Sequence, residues 1–287
     1  MVVAGSGRTV GGSDRRPWTF YALGTLFIAY MMFLYGPMAV IYVLSFQGEN
    51  GGVTFPMTGF SLVWFADIFK PGQMANIPDS FSRSVALATL VSLLSTVIAV
   101  AAGLAFRRRF PGSAVVFYLA VASLVMPSLL VGFGIGLGFQ MLGLTPSLFT
   151  SALGAQLTWT LPFGVFAMFA VVNRFNRAWE EAATDLGASA WQRLRHVTLP
   201  ILMPGIIGVA MGAFTLSYDE YARTTLTVGA KNTLPLEIYA LISSATSPTL
   251  FAIGTLTTTL SFLIIGTTLV LVTRMQRRRL AATMKAG

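Results

Sequence analysis

The stretch Trp179-Glu180-Glu181-Ala182-Ala183-Thr184-Asp185-Leu186-Gly187, closed ten residues later by Val197-Thr198-Leu199-Pro200, lies in a polar loop between two long apolar segments. Trp179, Ala182, Ala183 and Leu186 stand at offsets of three, four and seven, so they share one face of a short helix. Glu180, Glu181, Thr184 and Asp185 take the other face. Acidic residues in a first turn suit the positive end of a helix dipole, and Asn176 is available as a cap before them. Gly187 tolerates the left-handed position that ends a helix. Ser189 and Gln192 have capping-box spacing and predict a second short helix at once. Two small helices at a sharp angle make a compact knob, which suits a socket on another protein. The periodicity is met equally by an ordinary amphipathic connector.

Either side of this loop the chain is built for lipid. Of 287 residues 55% are hydrophobic and only 10% charged, and the mean hydropathy is +0.73, far from the balance of a soluble domain. Charge-free runs occupy Pro17 to Gly48, Ser84 to Phe106, Phe110 to Asn173, Val197 to Tyr218 and Ile238 to Thr273. A membrane span takes roughly 20 apolar residues, so the third run predicts two helices turning near Gly143-Leu144-Thr145-Pro146-Ser147. Six spans are expected in an all-α polytopic membrane protein, the last starting near Leu250. The first run is too long for a cleavable signal peptide, and no cleavage-site pattern follows it.

The net charge of +9 raises nucleic acid as a partner, and the placement of the charges answers it. Arg8, Arg15, Arg16, Arg107 to Arg109, Arg174, Arg177, Arg193, Arg195, Arg274, Arg277 to Arg279 and Lys285 fall on one side of the predicted membrane, 15 of the 19 basic residues. The positive-inside rule makes that side cytoplasmic, with both termini on it. The basic clusters then face anionic headgroups, and no nucleic acid is needed to explain them. The expected organisation is a cytoplasmic tail over 1–19, a first span over 20–46 and a periplasmic segment over 47–83. A transmembrane core over 84–273 follows, with a cytoplasmic loop at 173–199, and then a tail over 274–287.

The absence of cysteine removes disulfides and thiolate metal or redox sites. The single histidine, His196, has no second ligand near it in sequence, so no metal site is expected. None of Lys70, Lys231 and Lys285 follows a glycine, so the chain lacks a phosphate loop. A serine nucleophile elbow and HExxH are missing too, and no catalytic residue is expected. An ion-coupled carrier would show internal repeats and midplane acids. Here no clear repeat is visible, and Asp219 and Glu220 lie about 28 Å along a helix from Pro200, near the outer rim.

The spacing EAA-x3-G-x9-V-x-LP resembles the signature loop of permease subunits in type I ABC importers; Val197 stands where that family usually has isoleucine. Phe33-Leu34-Tyr35-Gly36-Pro37, Leu44-Ser45-Phe46, Gly59-Phe60-Ser61-Leu62, Arg83-Ser84-Val85-Ala86-Leu87-Ala88, Phe214-Thr215-Leu216-Ser217-Tyr218-Asp219-Glu220, Leu234-Pro235-Leu236-Glu237-Ile238-Tyr239 and Ser247-Pro248 are similar to the spermidine/putrescine branch. The resemblance implies a bacterial inner-membrane permease that binds no cofactor, ATP and Mg being held by a separate ATPase. Its implied partners are two ATPase subunits, a second and non-identical permease, and a periplasmic or lipid-anchored binding protein. Glu180, Glu181, Ala182, Ala183, Leu186, Gly187, Leu199 and Pro200 would form the ATPase-docking loop, and Tyr218, Asp219 and Glu220 a cation pathway. Permeases for opines, amino-acid-like compounds, thiamine, aminophosphonates or ferric iron share the superfamily loop, which leaves the substrate open.

Three further features admit two readings each. Gly132, Gly134, Gly136 and Gly138 after Pro127 suit close helix packing or a hinge in a pathway helix, and Pro162 offers a second hinge. Phe60, Trp64, Phe65 and Phe69 form an interfacial aromatic anchor or meet the binding protein. Asp219 and Glu220 face a cation, or else are engaged by Arg223 or by the binding protein.

Overall fold

A computed structural model describes residues 17–70, 76–108, 110–244 and 247–286. Arg8, Arg15, Arg16, Arg109 and most of the expected 1–19 tail lie outside these residues. Among the described residues eleven α-helices follow in order: α1 Trp18–Leu44, α2 Val63–Asp67, α3 Ile77–Ala105, α4 Ser113–Val125, α5 Ser128–Met141 and α6 Leu153–Asn173. Then come α7 Ala178–Asp185, α8 Ala190–Arg193, α9 Leu199–Tyr218, α10 Leu234–Ser244 and α11 Pro248–Ala286. No strand occurs among the described residues. Among the described residues five helical stretches are long and apolar enough to cross a membrane, and α4 with α5 makes a sixth if that bent pair is one span.

The break between α4 and α5 falls at Met126 and Pro127, and the two helices meet at 105°. Proline has no N–H to continue the ladder and holds its predecessor extended; Met126 has ψ 132° accordingly. Pro162 and Pro204, in contrast, sit inside continuous α6 and α9. The expected turn after α5 is present, with Gly143 at φ +69°.

Helices α3, α6 and α9 form the core, their small residues letting backbones approach. A Cβ on Gly164 of α6 would stand 3.1 Å from the Cβ of Ala99 and 3.3 Å from Val209, so this contact of three helices depends on the missing methyl. Met168, Val172 and Leu202 extend the buried cluster. Hydroxyls stitch it: Ser95 and Thr160 share a hydrogen bond of 2.8 Å, and Ser92 Oγ donates to the Ala210 carbonyl at 2.6 Å. Helix α1 packs on α11 and exposes Phe27, Met32, Phe33 and Leu34 among others, a surface whose solvent is hydrocarbon.

Two helices run past the expected limits of their spans. The third helix starts at Ile77, inside the segment assigned to the periplasm, because Asn76 caps the Asp79 N–H and Pro78 occupies the first turn. Basic Arg83 lies on that helix and is satisfied there, donating from Nε to the Asn232 carbonyl at 2.7 Å and from Nη2 to Ser80 Oγ at 2.8 Å. At the other end, the region expected as a tail after 274 continues α11.

The segment between α1 and α3 is organised by buried Gln47. Its Oε1 accepts the Thr58 N–H at 2.7 Å, its Nε2 donates to the carbonyls of Gly52 at 2.9 Å and Thr54 at 3.3 Å, and its own carbonyl accepts the Trp64 indole N–H at 2.7 Å. The aromatic group therefore divides. Trp64 and Phe65 pack on Ile68, Ile77 and Tyr218, whereas Phe60 and Phe69 remain exposed.

Candidate functional site

The loop between α6 and α9 folds locally as its residues require. Asn176 Oδ1 accepts the Ala178 N–H at 3.0 Å, one residue before the N-cap position, which Arg177 occupies. After α7 the Gly187 N–H bonds to the Thr184 carbonyl at 2.8 Å and the Ala188 N–H to Ala183 at 3.0 Å, closing the helix with Gly187 at φ +81°. Ser189 and Gln192 then form the capping box in both directions, at 3.3 and 2.8 Å. The second helix of the expected pair is not a separate element. It passes through a π turn, Leu194–Thr198, directly into α9, so the α8 to α9 stretch reads as one helical run. The knob is α7 and its turn, braced against the foot of α9.

Glu180 sits differently from its expected place among docking residues. Arg107 of the loop after α3 donates Nη1 to Oε1 at 2.8 Å and Nη2 to Oε2 at 2.7 Å, and Thr198 Oγ1 donates to Oε1 at 2.6 Å. The hydrogen bonds from Arg107 hold the Glu180 carboxyl below its ordinary range against the opposing effect of burial, and Glu180 raises Arg107 in turn. The Arg107 guanidinium also lies 5.1 Å from the Phe175 ring centroid. Glu180 is thus an internal strut joining three elements, not a free surface charge. Arg107 stands 73 positions away, and no local pattern announces that partnership.

The remaining loop residues separate by exposure. Glu181 and Ala182 are exposed, Ala183 is half-buried and Leu186 is 89% exposed. Trp179 and Trp191 are exposed too and widen the apolar face; Trp191 carries the same signal as Trp179 but lies beyond Gly187, where a helical-face argument stops. Leu199 and Pro200 form the first turn of α9 and sit at its foot rather than on α7.

On the opposite end, the residues expected to line a cation path part company. Tyr218 is 2% exposed. Its ring stacks on Phe214 with centroids 6.0 Å apart and meets Phe81 edge-on at 6.4 Å, so in this conformation its aromatic face is covered. Glu220 Oε1 accepts the Arg223 backbone N–H at 2.8 Å, and its other oxygen stands 3.8 Å from the Arg223 guanidinium. Asp219, the C-cap of α9, is exposed and forms no ion pair among the described residues.

Arg223 is 1% exposed; it donates to Ser128 Oγ at 2.6 Å and lies 5.0 Å from the Trp159 ring. The segment carrying it presses on α5. A Cβ on Gly132 would stand 2.8 Å from the Arg223 carbonyl, and one on Gly136 2.5 Å from that of Leu226, whereas Gly134 and Gly138 face open space. Gln156 of α6 completes the anchorage, donating to Thr224 Oγ1 at 2.9 Å and accepting from Ser217 Oγ. The alternate glycines are therefore a packing seam for a loop rather than for a helix. No group of three acids or histidines able to hold a metal occurs among the described residues.

The molecule is a bundle of apolar helices with a polar, capped knob between two of them. The chain belongs to the family described as binding-protein-dependent transport system inner membrane component, whose pattern matches residues 95–282. It is 28% identical over 244 residues to the spermidine/putrescine transport system permease protein PotC of Escherichia coli K12, covering 84% of this chain and 90% of PotC. It is also 28% identical over 250 residues to the putrescine transport system permease protein PotI of the same organism, covering 84% and 86%. Among solved structures, a chain of the bacterial alginate ABC transporter in complex with alginate pentasaccharide-bound periplasmic protein superposes with a TM-score of 0.64 at 18% identity. That match covers 92% of this chain and 96% of the other. The methionine transporter MetNI gives 0.56 at 17% identity over 69% and 95%. The protein is a permease subunit of a binding-protein-dependent ABC importer in the inner membrane.

Proposed function

We propose that this permease imports polyamines, cations of the spermidine and putrescine class. With the loops after α3 and α6 on the cytoplasmic side, the outer face carries Glu49, Asp67, Asp79, Asp219, Glu220 and Glu237 against Lys70, Arg83, Arg223 and Lys231. The outside is net acidic while the chain as a whole is at +9. The single observation that carries the reading is Asp219, exposed at the outer end of α9 without an ion partner among the described residues. An ammonium group near it gains on the order of 1 kcal/mol at 4 Å in water, and more where water is excluded. The names of PotC and PotI agree with this charge pattern.

In this reading both termini are cytoplasmic, and the chain pairs with a second, different permease, two ATPase subunits and a periplasmic or lipid-anchored binding protein. ATP and Mg belong to the ATPases, and this chain carries no catalytic residue. Glu181, Ala182, Ala183, Leu186 and Gly187 present α7 to an ATPase, while Glu180, Leu199 and Pro200 fix α7 to the spans. The test is uptake by proteoliposomes of the assembled complex with internal ATP and the cognate binding protein. Spermidine or putrescine should accumulate, and an excess of opine or amino acid should not compete. Accumulation of another solute with no polyamine entry would sink the polyamine assignment.

A further inference from the structure

Between the cytoplasmic end of α3 and the α7–α8 turn lies a cavity of about 440 Å³, within the range of small-molecule sites, roughly 300–1,000 Å³. Four arginines line it: Arg107, Arg108, Arg177 and Arg193. Of the four, Arg107 is the one with an ion pair among the described residues, because Glu180 gives both carboxylate oxygens to it; the same carboxylate feels the Arg193 charge from farther off. Arg177 donates Nη2 to the Arg107 carbonyl at 2.9 Å, and Arg193 donates Nη1 to Thr184 Oγ1. Those acceptors are neutral, so they orient the guanidinium groups without compensating them. Arg108, Arg177 and Arg193 make no ion pair among the described residues, and Glu181 is the one other acid on the wall. Leu104 and Leu194 supply apolar lining, Leu104 from the last turn of a membrane span. Oriented, uncompensated donors beside an apolar wall suit an anion that carries its own hydrocarbon.

We propose that this cavity holds the phosphate headgroup of an anionic inner-leaflet phospholipid, wedged between α3 and the knob. Guanidinium forks match phosphate oxygens bidentately, and basic pockets at the cytoplasmic ends of spans are where such headgroups collect. Free phosphate would meet the same arginines but leave the leucines without a partner. The lipid would brace the knob from the side opposite the Glu180 strut and make coupling depend on headgroup charge. The inference rests on the cytoplasmic placement of this loop and not on the substrate.

The test uses the complete transporter in nanodiscs of phosphatidylcholine with or without phosphatidylglycerol, read by native mass spectrometry for retained lipid. Wild type should retain phosphatidylglycerol in preference to phosphatidylcholine. Arg108→Gln with Arg177→Gln should lower that retention about 25-fold, roughly fivefold per arginine, with the ATPase subunits still bound. Arg108→Lys with Arg177→Lys should recover only part of it, since the charge is kept and the bidentate fork is lost. Equal retention by the glutamine variant would overturn the site. Displacement by inorganic phosphate would assign it to a free anion instead. Loss of the ATPase subunits with lipid retained would assign the arginines to an acidic side chain of that partner. A polyamine assignment that failed would alter uptake and leave lipid retention as predicted.

Discussion

Removing the carboxylate of Glu180 should loosen the knob without unfolding the spans. In Glu180→Ala, Arg107 loses a bidentate partner and Thr198 its acceptor, while the side-chain exposures of 16% for Arg107 and 25% for Glu180 place the pair between surface and interior. Exposed pairs contribute about 0–1 kcal/mol, and breaking a fully buried one costs about 3–5, so about 2 kcal/mol is expected. That is roughly a 30-fold shift toward an unseated knob. Because a partner binds only the seated form, apparent affinity for the ATPase falls by up to the same factor. The assay is a double-mutant cycle with Arg107→Gln, Glu180→Ala and their combination, read as ATPase retained on purified permease. The double variant should be no weaker than the single ones, giving a coupling of about 1–2 kcal/mol. Full retention in both single variants, or strictly additive losses, would refute the strut. The pH dependence has a definite sign. Glu180 is lowered by Arg107, so its stabilisation is complete above the ordinary carboxylate value of 4.5 and is lost as pH falls through the lower folded value. Retention should therefore stay flat from neutral pH to about 4.5 and decline below it.

Gly187 sits at φ +81° with open space where a Cβ would go, so its substitution is a backbone problem alone. Gly187→Val should cost about 1–3 kcal/mol and abolish substrate-stimulated ATPase at normal membrane levels, whereas Gly187→Asn should retain much of it; equal activity of the two would remove that explanation. Gly136→Ala must displace the Leu226 carbonyl, 2.5 Å from the new methyl, and Gly138→Ala meets nothing. Thermal stability in detergent should fall by about 1–3 kcal/mol for the first only, and a tolerated Gly136→Ala would show the seam to be loose. Asp219→Asn should slow polyamine uptake with assembly and basal ATPase intact, while Glu220→Gln, which weakens the Arg223 contact, should lower stability first; full-rate uptake by Asp219→Asn would end its assigned role.

The long helices α1, α3, α6, α9 and α11, their order and the caps of the knob were legible because each depends on neighbours in sequence, whereas the run from Phe110 to Asn173, expected to hold two helices, holds α4, α5 and α6. Ser189 reaches Gln192, Gly187 follows its own helix, and apolar runs of sufficient length span lipid. The partnerships that decide what a polar residue does were not legible. Glu180 and Glu181 are adjacent and chemically identical, yet one is held inside by Arg107 and the other is exposed. Asp219 and Glu220 divide the same way around Arg223. The sequence offers Tyr218 as an aromatic face, but Phe214, one turn back on α9, stacks on its ring and Phe81 of α3 meets it edge-on. The π turn at Leu194–Thr198 merged α8 with α9, since nothing in the residues between the capping box and Pro200 forces a break. Periodicity places side chains on faces, and only the packing of distant helices says which face is covered.

In the proposed assembly the face of α7 that leads to Leu186 docks on the ATPase. The chain contains no cysteine, so a single photoactivatable group attached at Leu186→Cys labels one place, and that side chain is 89% exposed. Illumination of the assembled transporter in membranes should yield one crosslinked product of permease and ATPase, lost in Glu181→Lys and Ala182→Trp backgrounds. A crosslink only to lipid or to the second permease, in a complex that still hydrolyses ATP in response to substrate, would contradict the account.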